Sequence, residues 1–308
     1  MARLVSVVLP AHNSAATIDR ALQSALAQDY RPLEIIVVDD CSQDNTADIV
    51  LQYSNLPVKL IKLSTHSGAS GARNAGIMAA TGDLVAFLDA DDEWLPSKIS
   101  RQMQLIEGNT QYSFVFCSAD MYSEDHKNLG DLYRGYQPTA GEDTWKALLV
   151  SNFVATPSVL VWRHHLVDLG GFDKSLKIGE DQDMWIRLAL RGPAAFIADP
   201  LVRVYVRPNS LSSGGFRDQV VYTMPMIERH IAMQADRLSR AEIRTILGER
   251  LRRIGWTAYS SGAYREGASL IFRSIRLGHR PAGNLLFLLM SAPPVRWLKQ
   301  LVRSVITA

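Results

Sequence analysis

Leu84-Val85-Ala86-Phe87-Leu88-Asp89-Ala90-Asp91-Asp92 is the stretch on which the fold turns. A short apolar run breaks into three carboxylates within four residues. Such a run, bounded by turn residues, reads as a strand buried on both faces. Working back from it, Ala69 to Ala80 reads as a helix, closed by the turn Thr81-Gly82-Asp83. Val58 to Leu63 and Glu34 to Val38 read as strands, the latter ending in Asp39-Asp40, with a helix over Asp44 to Gln52 between them. Ala15 to Gln28 has helical spacing, with Ile18, Leu22, Ala25 and Leu26 on one face and Asn13 or Ser14 as cap. Leu4 to Leu9 is a first strand, stopped by Pro10. Strands alternating with helices predict an α/β fold, with an open, mostly parallel sheet flanked by helices. Ligands in such sheets lie beyond the carboxyl ends of the strands. Pro10-Ala11-His12-Asn13, Asp39-Asp40 and Asp89-Ala90-Asp91-Asp92 all fall there.

Working forward, Phe114 to Cys117, Ser158 to Trp162 and Leu201 to Val206 read as strands. Gly170-Gly171 marks a turn, and Asp181 to Arg191 a helix with Met184, Trp185 and Leu188 apolar. From about Phe216 the chain reads as helical throughout.

A chain of 308 residues allows about two domains. Its 47% hydrophobic and 21% charged residues exclude a disordered or collagen-like chain. Cys41 and Cys117 are too few for a disulfide framework or a Cys-rich zinc site; one structural bridge is open to them, and two reduced thiols of a cytoplasmic protein is the favoured reading. The start lacks the length and cleavage site of a signal peptide. The longest apolar run, Leu285 to Met290, is far short of a spanning helix. The net charge of +2 hides an asymmetry: residues 220–308 carry 14 basic and 5 acidic side chains, so the remainder is acidic.

The acidic cluster at Asp89 to Asp92 invites a hard divalent cation, which takes one or two carboxylates plus substrate phosphates. In isolation it reads equally well as a solvated cap of the helix near Pro96. Asp39-Asp40 offers acceptors to a base or to ribose hydroxyls, and Arg73 offers a fork suited to phosphate oxygens. Gly179-Glu180-Asp181-Gln182-Asp183 opens a helix, where acids are stabilised by the dipole or serve as general base. The glycines lack dinucleotide spacing, and no Walker A sequence is present, which disfavours dehydrogenases and P-loop ATPases.

Taken together, Val5-Ser6-Val7-Val8-Leu9-Pro10-Ala11-His12-Asn13, Ile36-Val37-Val38-Asp39-Asp40-Cys41-Ser42-Gln43-Asp44, Gly71-Ala72-Arg73-Asn74-Ala75-Gly76, Phe87-Leu88-Asp89-Ala90-Asp91-Asp92, Gly170-Gly171-Phe172-Asp173 and Gly179-Glu180-Asp181 stand in the order and spacing of a known family. Over about the first 215 residues the chain resembles glycosyltransferase family 2, the inverting nucleotide-sugar transferases of GT-A fold. The resemblance implies a Rossmann-like GT-A domain over 1–215, with a nucleotide-sugar part over 1–110 and an acceptor part over 111–215. A helical, basic region over 216–308 follows. It implies donor contacts from Pro10, Ala11, His12, Asn13, Asp39, Asp40, Arg73, Asp89 and Ala90, with Asp39 facing a base that is usually uracil. Asp91, with Asp89, is implied to bind Mn²⁺ or Mg²⁺ at the diphosphate, and Asp181 to be the catalytic base. Glu180 and Trp185 beside it are the candidate acceptor contacts.

The chain departs from the family in places. His12 stands where an aromatic residue is frequent, and Ser14-Ala15-Ala16 where an acid is. Arg207 occupies the stretch where many members carry a metal-binding His; it cannot ligate a cation but can contact the diphosphate. The Gln-x-x-Arg-Trp motif and membrane helices of processive synthases are missing, so the expectation is addition of a single sugar to a glycan or lipid-linked acceptor. Arg296 to Arg303 alternates basic and apolar residues. It reads either as an interfacial helix at the inner face of an anionic membrane or as a solvated basic face or oligomer contact. No nucleic-acid motif is recognised. A sugar nucleotidyltransferase would carry a Gly-rich basic loop in place of Pro10 to Ser14. A catalytically inactive binding protein of the same fold would not need Asp89, Asp91 and Asp181.

Overall fold

In a computed structural model, residues 2–206 and 215–291 are described. The elements run β1 (Val5–Ala11), α1 (Ile18–Leu26), β2 (Leu33–Asp39), α2 (Thr46–Leu51), β3 (Val58–Lys62), α3 (Gly68–Ala79), β4 (Leu84–Phe87), β5 (Glu93–Trp94) and α4 (Lys98–Gly108). They continue with β6 (Phe114–Ser123), β7 (Asn128–Asp131), α5 (Thr144–Val150), β8 (Leu160–Trp162), α6 (Arg163–Asp168), α7 (Glu180–Ala189) and β9 (Ala194–Val206). After these come α8 (Phe216–Asp218), α9 (Met224–Met233), α10 (Arg240–Ser260), α11 (Tyr264–Arg276) and α12 (Pro281–Ser291).

The chain divides into two compact units. One comprises Met1–Leu148 and Asn152–Ser213, the other Leu149–Ser151 and Gly214–Ala308. The first holds one mixed sheet of order β3-β2-β1-β4-β8-β6-β9-β5, with β7 beside β6. β3, β2, β1 and β4 are mutually parallel, as the alternating pattern predicts. β8 then enters antiparallel to both β4 and β6. The first four strands are almost wholly apolar where they are central, and Val5, Val7, Val8, Ile35, Ile36, Val85 and Phe87 are fully buried. Gly76 of α3 lets that helix lie directly on β1, because a Cβ there would stand 2.4 Å from Val8 Cγ1.

Two of the predicted strand limits move for a structural reason. β1 runs through Pro10 to Ala11 instead of stopping at the proline. Residue 8 faces β4, where its carbonyl accepts from Leu88 N, so residue 10 faces the same side beyond the end of that ladder. The N–H that proline lacks is therefore not needed. β9 begins at Ala194, ahead of the predicted Leu201, because Pro200 is absorbed where the β6–β9 register shifts around Ser118. β5 and β7 are too short to leave a period in the sequence.

The second unit is helical, with Met224, Leu251, Ile254 and Leu270 as its core. α10 starts with a full capping box, in which Ser239 and Glu242 satisfy each other's backbone N–H. Among the described residues no helix is long and apolar enough to cross a membrane.

Candidate active site

At the carboxyl ends of β1 and β2, Asp39 is buried, and its Oδ1 accepts a bond from Ser42 N at 3.0 Å. Asp40 is turned into the fold instead. Its Oδ1 accepts from Ser67 N at 2.7 Å, and its Oδ2 lies 3.0 Å from His66 Nδ1. Asp40 thus ties the β2 end to the start of α3, and its contact with a donor is not by a free carboxylate. Asn13 adopts a left-handed backbone (φ 48°) and uses its side-chain carbonyl to accept from Gln43 N. Pro10 and Ala11 lie in β1, with Ala11 buried. His12 is exposed; its Nδ1 bonds to Asp40 O at 2.7 Å, and its ring lies 4.5 Å from that of His66. Sequence reasoning missed His66. A lone histidine in a Ser/Thr/Gly loop carries no pattern until the fold brings it beside His12.

Past β4, the acidic run divides by direction. Asp92 points inward, accepts from Tyr205 N at 2.9 Å, and has its carboxyl pushed well above the usual range by burial and by the Asp89 and Asp91 charges. Ala90 is buried. Asp89 and Asp91 stay half-exposed, and the Asp91 carbonyl accepts from Arg20 Nη2. Asp89, whose Oδ1 also accepts from Arg73, and Asp91 are two half-exposed carboxylates on one loop, a number that fits the oxygen donor set Mn²⁺ or Mg²⁺ takes when phosphates supply the remaining ligands. Among the described residues no group of three or more His, Cys, Asp or Glu is placed to hold a metal. Arg207 lies outside the described residues.

Arg73 does not project into open space. It is buried on α3, with Nη2 3.0 Å from Asp89 Oδ1 and Nη1 3.0 Å from Glu180 Oε1. Burial works against its charge, but the Asp89 and Glu180 carboxylates outweigh burial and raise its pKa. Its Nε has no partner, and the guanidinium stands 5.5 Å over the Phe172 ring. The next residue, Asn74, clamps the Gly171-Phe172 turn, accepting from Phe172 N at 2.7 Å and donating to Phe172 O at 2.8 Å. A side chain at Gly171 would collide with Asn74. Arg73-Asn74 and Gly171-Phe172 are therefore two halves of one joint.

Gly179, at φ 80°, turns the chain into α7 in a conformation natural to glycine. Glu180 and Asp181 follow at the helix start. Asp181 Oδ2 accepts from Asn152 Nδ2 at 2.8 Å, and Oδ1 accepts from Gln182 N. Burial first, and then the Glu180 charge, push its carboxyl up to about 6, against the pull of Arg73, Gln182 N–H and Asn152. That is the range of a general base working near neutrality. Asn152 was not a sequence candidate, since no motif includes it.

One acceptor candidate needs correction. Trp185 is fully buried among Phe87, Phe114 and Phe172, so it is part of the core and cannot touch an acceptor. Residues 181 and 185 stand four apart and share a face of α7, but the indole, one turn on, lies in the aromatic core while Asp181 stands at the helix start. Glu180 is committed to Arg73. What the structure does assemble is Asp89, Arg73, Glu180 and Asp181 as one connected charge chain.

Comparison with known proteins agrees with this geometry. The family model described as "Glycosyl transferase family 2" matches residues 6–160. A curated relative from Escherichia coli, the UDP-Glc:alpha-D-GlcNAc-diphosphoundecaprenol beta-1,3-glucosyltransferase WfaP, is 32% identical over 221 residues, covering 70% of this chain and 83% of that one. Among the first curated relatives the matched share of the relative's length runs from 62% to 83%. S. aureus TarS 1-349 in complex with UDP-GlcNAc superposes with a TM-score of 0.60 at 20% identity, over 89% of this chain and 92% of that one. The mannosyltransferase PcManGT from Pyrobaculum calidifontis, in complex with GDP-Man and Mn2+, superposes with a TM-score of 0.58 at 21% identity, over 97% and 84%. These likenesses establish the GT-A fold. With its motifs, sheet order and family match in agreement, the chain belongs to glycosyl transferase family 2, and is a glycosyltransferase.

Proposed function

We propose that the protein is an inverting transferase that moves one sugar from a UDP-sugar to a hydroxyl of a glycan or lipid-linked acceptor in surface polysaccharide synthesis. The observation that carries this is the joint made by Arg73. One guanidinium holds Asp89, on the donor side of the sheet, to Glu180, the neighbour of Asp181. A carboxylate poised near neutrality is thereby kept within one side chain of the strand end where a donor diphosphate would lie.

In this reading residues 1–215 are catalytic and residues 216–308 form a separate helical region. Asp39 and His12 face the nucleoside. Asp89 and Asp91 would hold Mn²⁺ or Mg²⁺, which would supply charge neutralisation at the diphosphate. Asp181 accepts the proton of the acceptor hydroxyl as its oxygen bonds to the anomeric carbon and the bond to the diphosphate breaks from the opposite face. One displacement inverts the centre, and no covalent enzyme intermediate forms. The WfaP relative, whose name specifies a UDP-Glc donor and a diphosphoundecaprenol-linked acceptor, supports the choice of donor and acceptor class. The lipid-linked acceptor would place the protein peripherally at the inner membrane face.

Calorimetric titration with UDP, GDP, CDP and dTDP, with and without Mn²⁺, tests the reading, with Asp91→Ala as control. Metal-dependent binding of UDP, lost in Asp91→Ala, is expected. Preference for another diphosphate overturns the donor assignment, and no binding of any of them by folded protein overturns the donor site.

A further inference from the structure

The helical unit carries a surface that sugar transfer does not use. α11 packs against α10 through a tight contact, in which a Cβ on Gly267 would stand 2.8 Å from Gly255 O. Ser274 Oγ adds a bond of 2.7 Å to Gly248 O. These contacts fix the rotation of α11, burying Gly267, Leu270, Ile271 and Ser274. The opposite arc is then set: Arg265, Ser269, Phe272, Arg273 and Arg276, spaced at three and four residues, all face outward. Phe272 is 51% exposed. No carboxylate pairs with Arg265, Arg273 or Arg276 among the described residues; the nearby Glu266 pairs with Arg217.

Arg273 and Arg276 also line a hollow of about 260 Å³ with the apolar side chains of Met224, Leu247 and Leu251, and with one acid, Glu228. A helix dipole favours cations at the last turn, which accounts for Arg273 and Arg276 by itself. It disfavours Arg265 in the first turn, and it says nothing of a phenylalanine exposed among three cations. The rest of the tail, 292–308, is itself basic, so charge excludes it as the occupant of this face.

We propose that this arc docks on an anionic bilayer, with Phe272 entering the acyl boundary while Arg265, Arg273 and Arg276 meet lipid phosphates. It gives the peripheral placement above a defined surface. It is independent of the transfer chemistry, since vesicle binding needs neither donor nor acceptor.

The full chain is to be partitioned onto phosphatidylcholine vesicles with and without phosphatidylglycerol, at low and high salt. The wild type should bind only the anionic vesicles, and less well in salt. Each basic side chain near such a surface contributes about fivefold, so Arg265→Gln/Arg273→Gln/Arg276→Gln together should weaken partition roughly a hundredfold. The corresponding triple Lys variant should keep most of it, and Phe272→Ala should weaken it at unchanged salt dependence. Circular dichroism confirms folding of each variant. Equal binding to neutral vesicles, no binding to anionic ones, or a triple Gln variant that binds like the wild type overturns the proposal; the last would place membrane contact in 292–308. Should UDP binding fail while partition holds, the transfer reading fails and this one stands.

Discussion

Arg73 and Glu180 are 107 positions apart in the chain and 3.0 Å apart in the fold. The guanidinium that receives Glu180 on one nitrogen receives Asp89 on another. In this geometry Arg73 acts as a strut between the end of β4 and the start of α7, and the two carboxylates occupy its fork.

Cutting the strut should therefore injure stability as well as rate. Arg73→Met leaves two half-buried carboxylates, Asp89 and Glu180, without their cation; breaking a fully buried pair costs about 3–5 kcal/mol, and solvent screening of this one brings the expected loss to about 1–3 kcal/mol. Urea unfolding should show the midpoint falling at constant slope. A loss below about 1 kcal/mol, with donor affinity alone reduced, would return Arg73 to the role of phosphate ligand.

Asp181→Asn should abolish transfer while leaving donor affinity within about twofold, because the amide keeps the shape but cannot take the proton. The expected fall in kcat is roughly a hundredfold to ten-thousandfold. Loss of nucleotide binding in the same variant would sink the base assignment.

The pH dependence follows from the same carboxyl. Asp181 must be ionised to act, so kcat should rise through about pH 6 and level off above it. Asn152→Ala removes a bond that lowers this pKa, and should move the limb to higher pH. Stability moves the opposite way. The folded pKa of about 6 lies above the ordinary 3.8, so the contribution of the neutral carboxyl is complete below about pH 3.8 and is lost as pH rises through 6. The swing is on the order of 1–3 kcal/mol. Asp181→Asn should lack it, and unfolding curves that keep it would assign the titration elsewhere.

Trp185→Phe should leave KM for acceptor unchanged and lower Tm, since the indole packs against Phe87, Phe114 and Phe172. Trp185→Ala should cost about 3–5 kcal/mol. A selective rise in acceptor KM with Tm intact would contradict its burial.

The first half of the sheet was legible because three of its strands read as short apolar runs stopped at Pro10, Asp39 and Asp89. Local period suffices for such elements. It failed where tertiary context decides. Pro200 hid the first half of β9, and only the shift against β6 explains its tolerance. Trp185 reads as a candidate acceptor contact until its burial among Phe87, Phe114 and Phe172 is known. His66 and Asn152 belong to no spacing; each is recruited by a neighbour far off in sequence, His12 and Asp181. Arg73, Asp89 and Glu180 each stand out in the sequence, but the pairing of Arg73 with Glu180 does not, because nothing local records a contact across 107 residues.

That separation has a consequence for how the chain is made. Strands β1 to β4 leave the ribosome with α3 already among them, and Asp89 follows soon after. Glu180 arrives 107 residues behind Arg73, roughly 5–20 s later at ordinary elongation rates. Through that interval the nascent donor half has a buried cation with half of its final countercharge. The second half of that countercharge waits on translation of α7, so until then the first ninety residues hold Arg73 without Glu180.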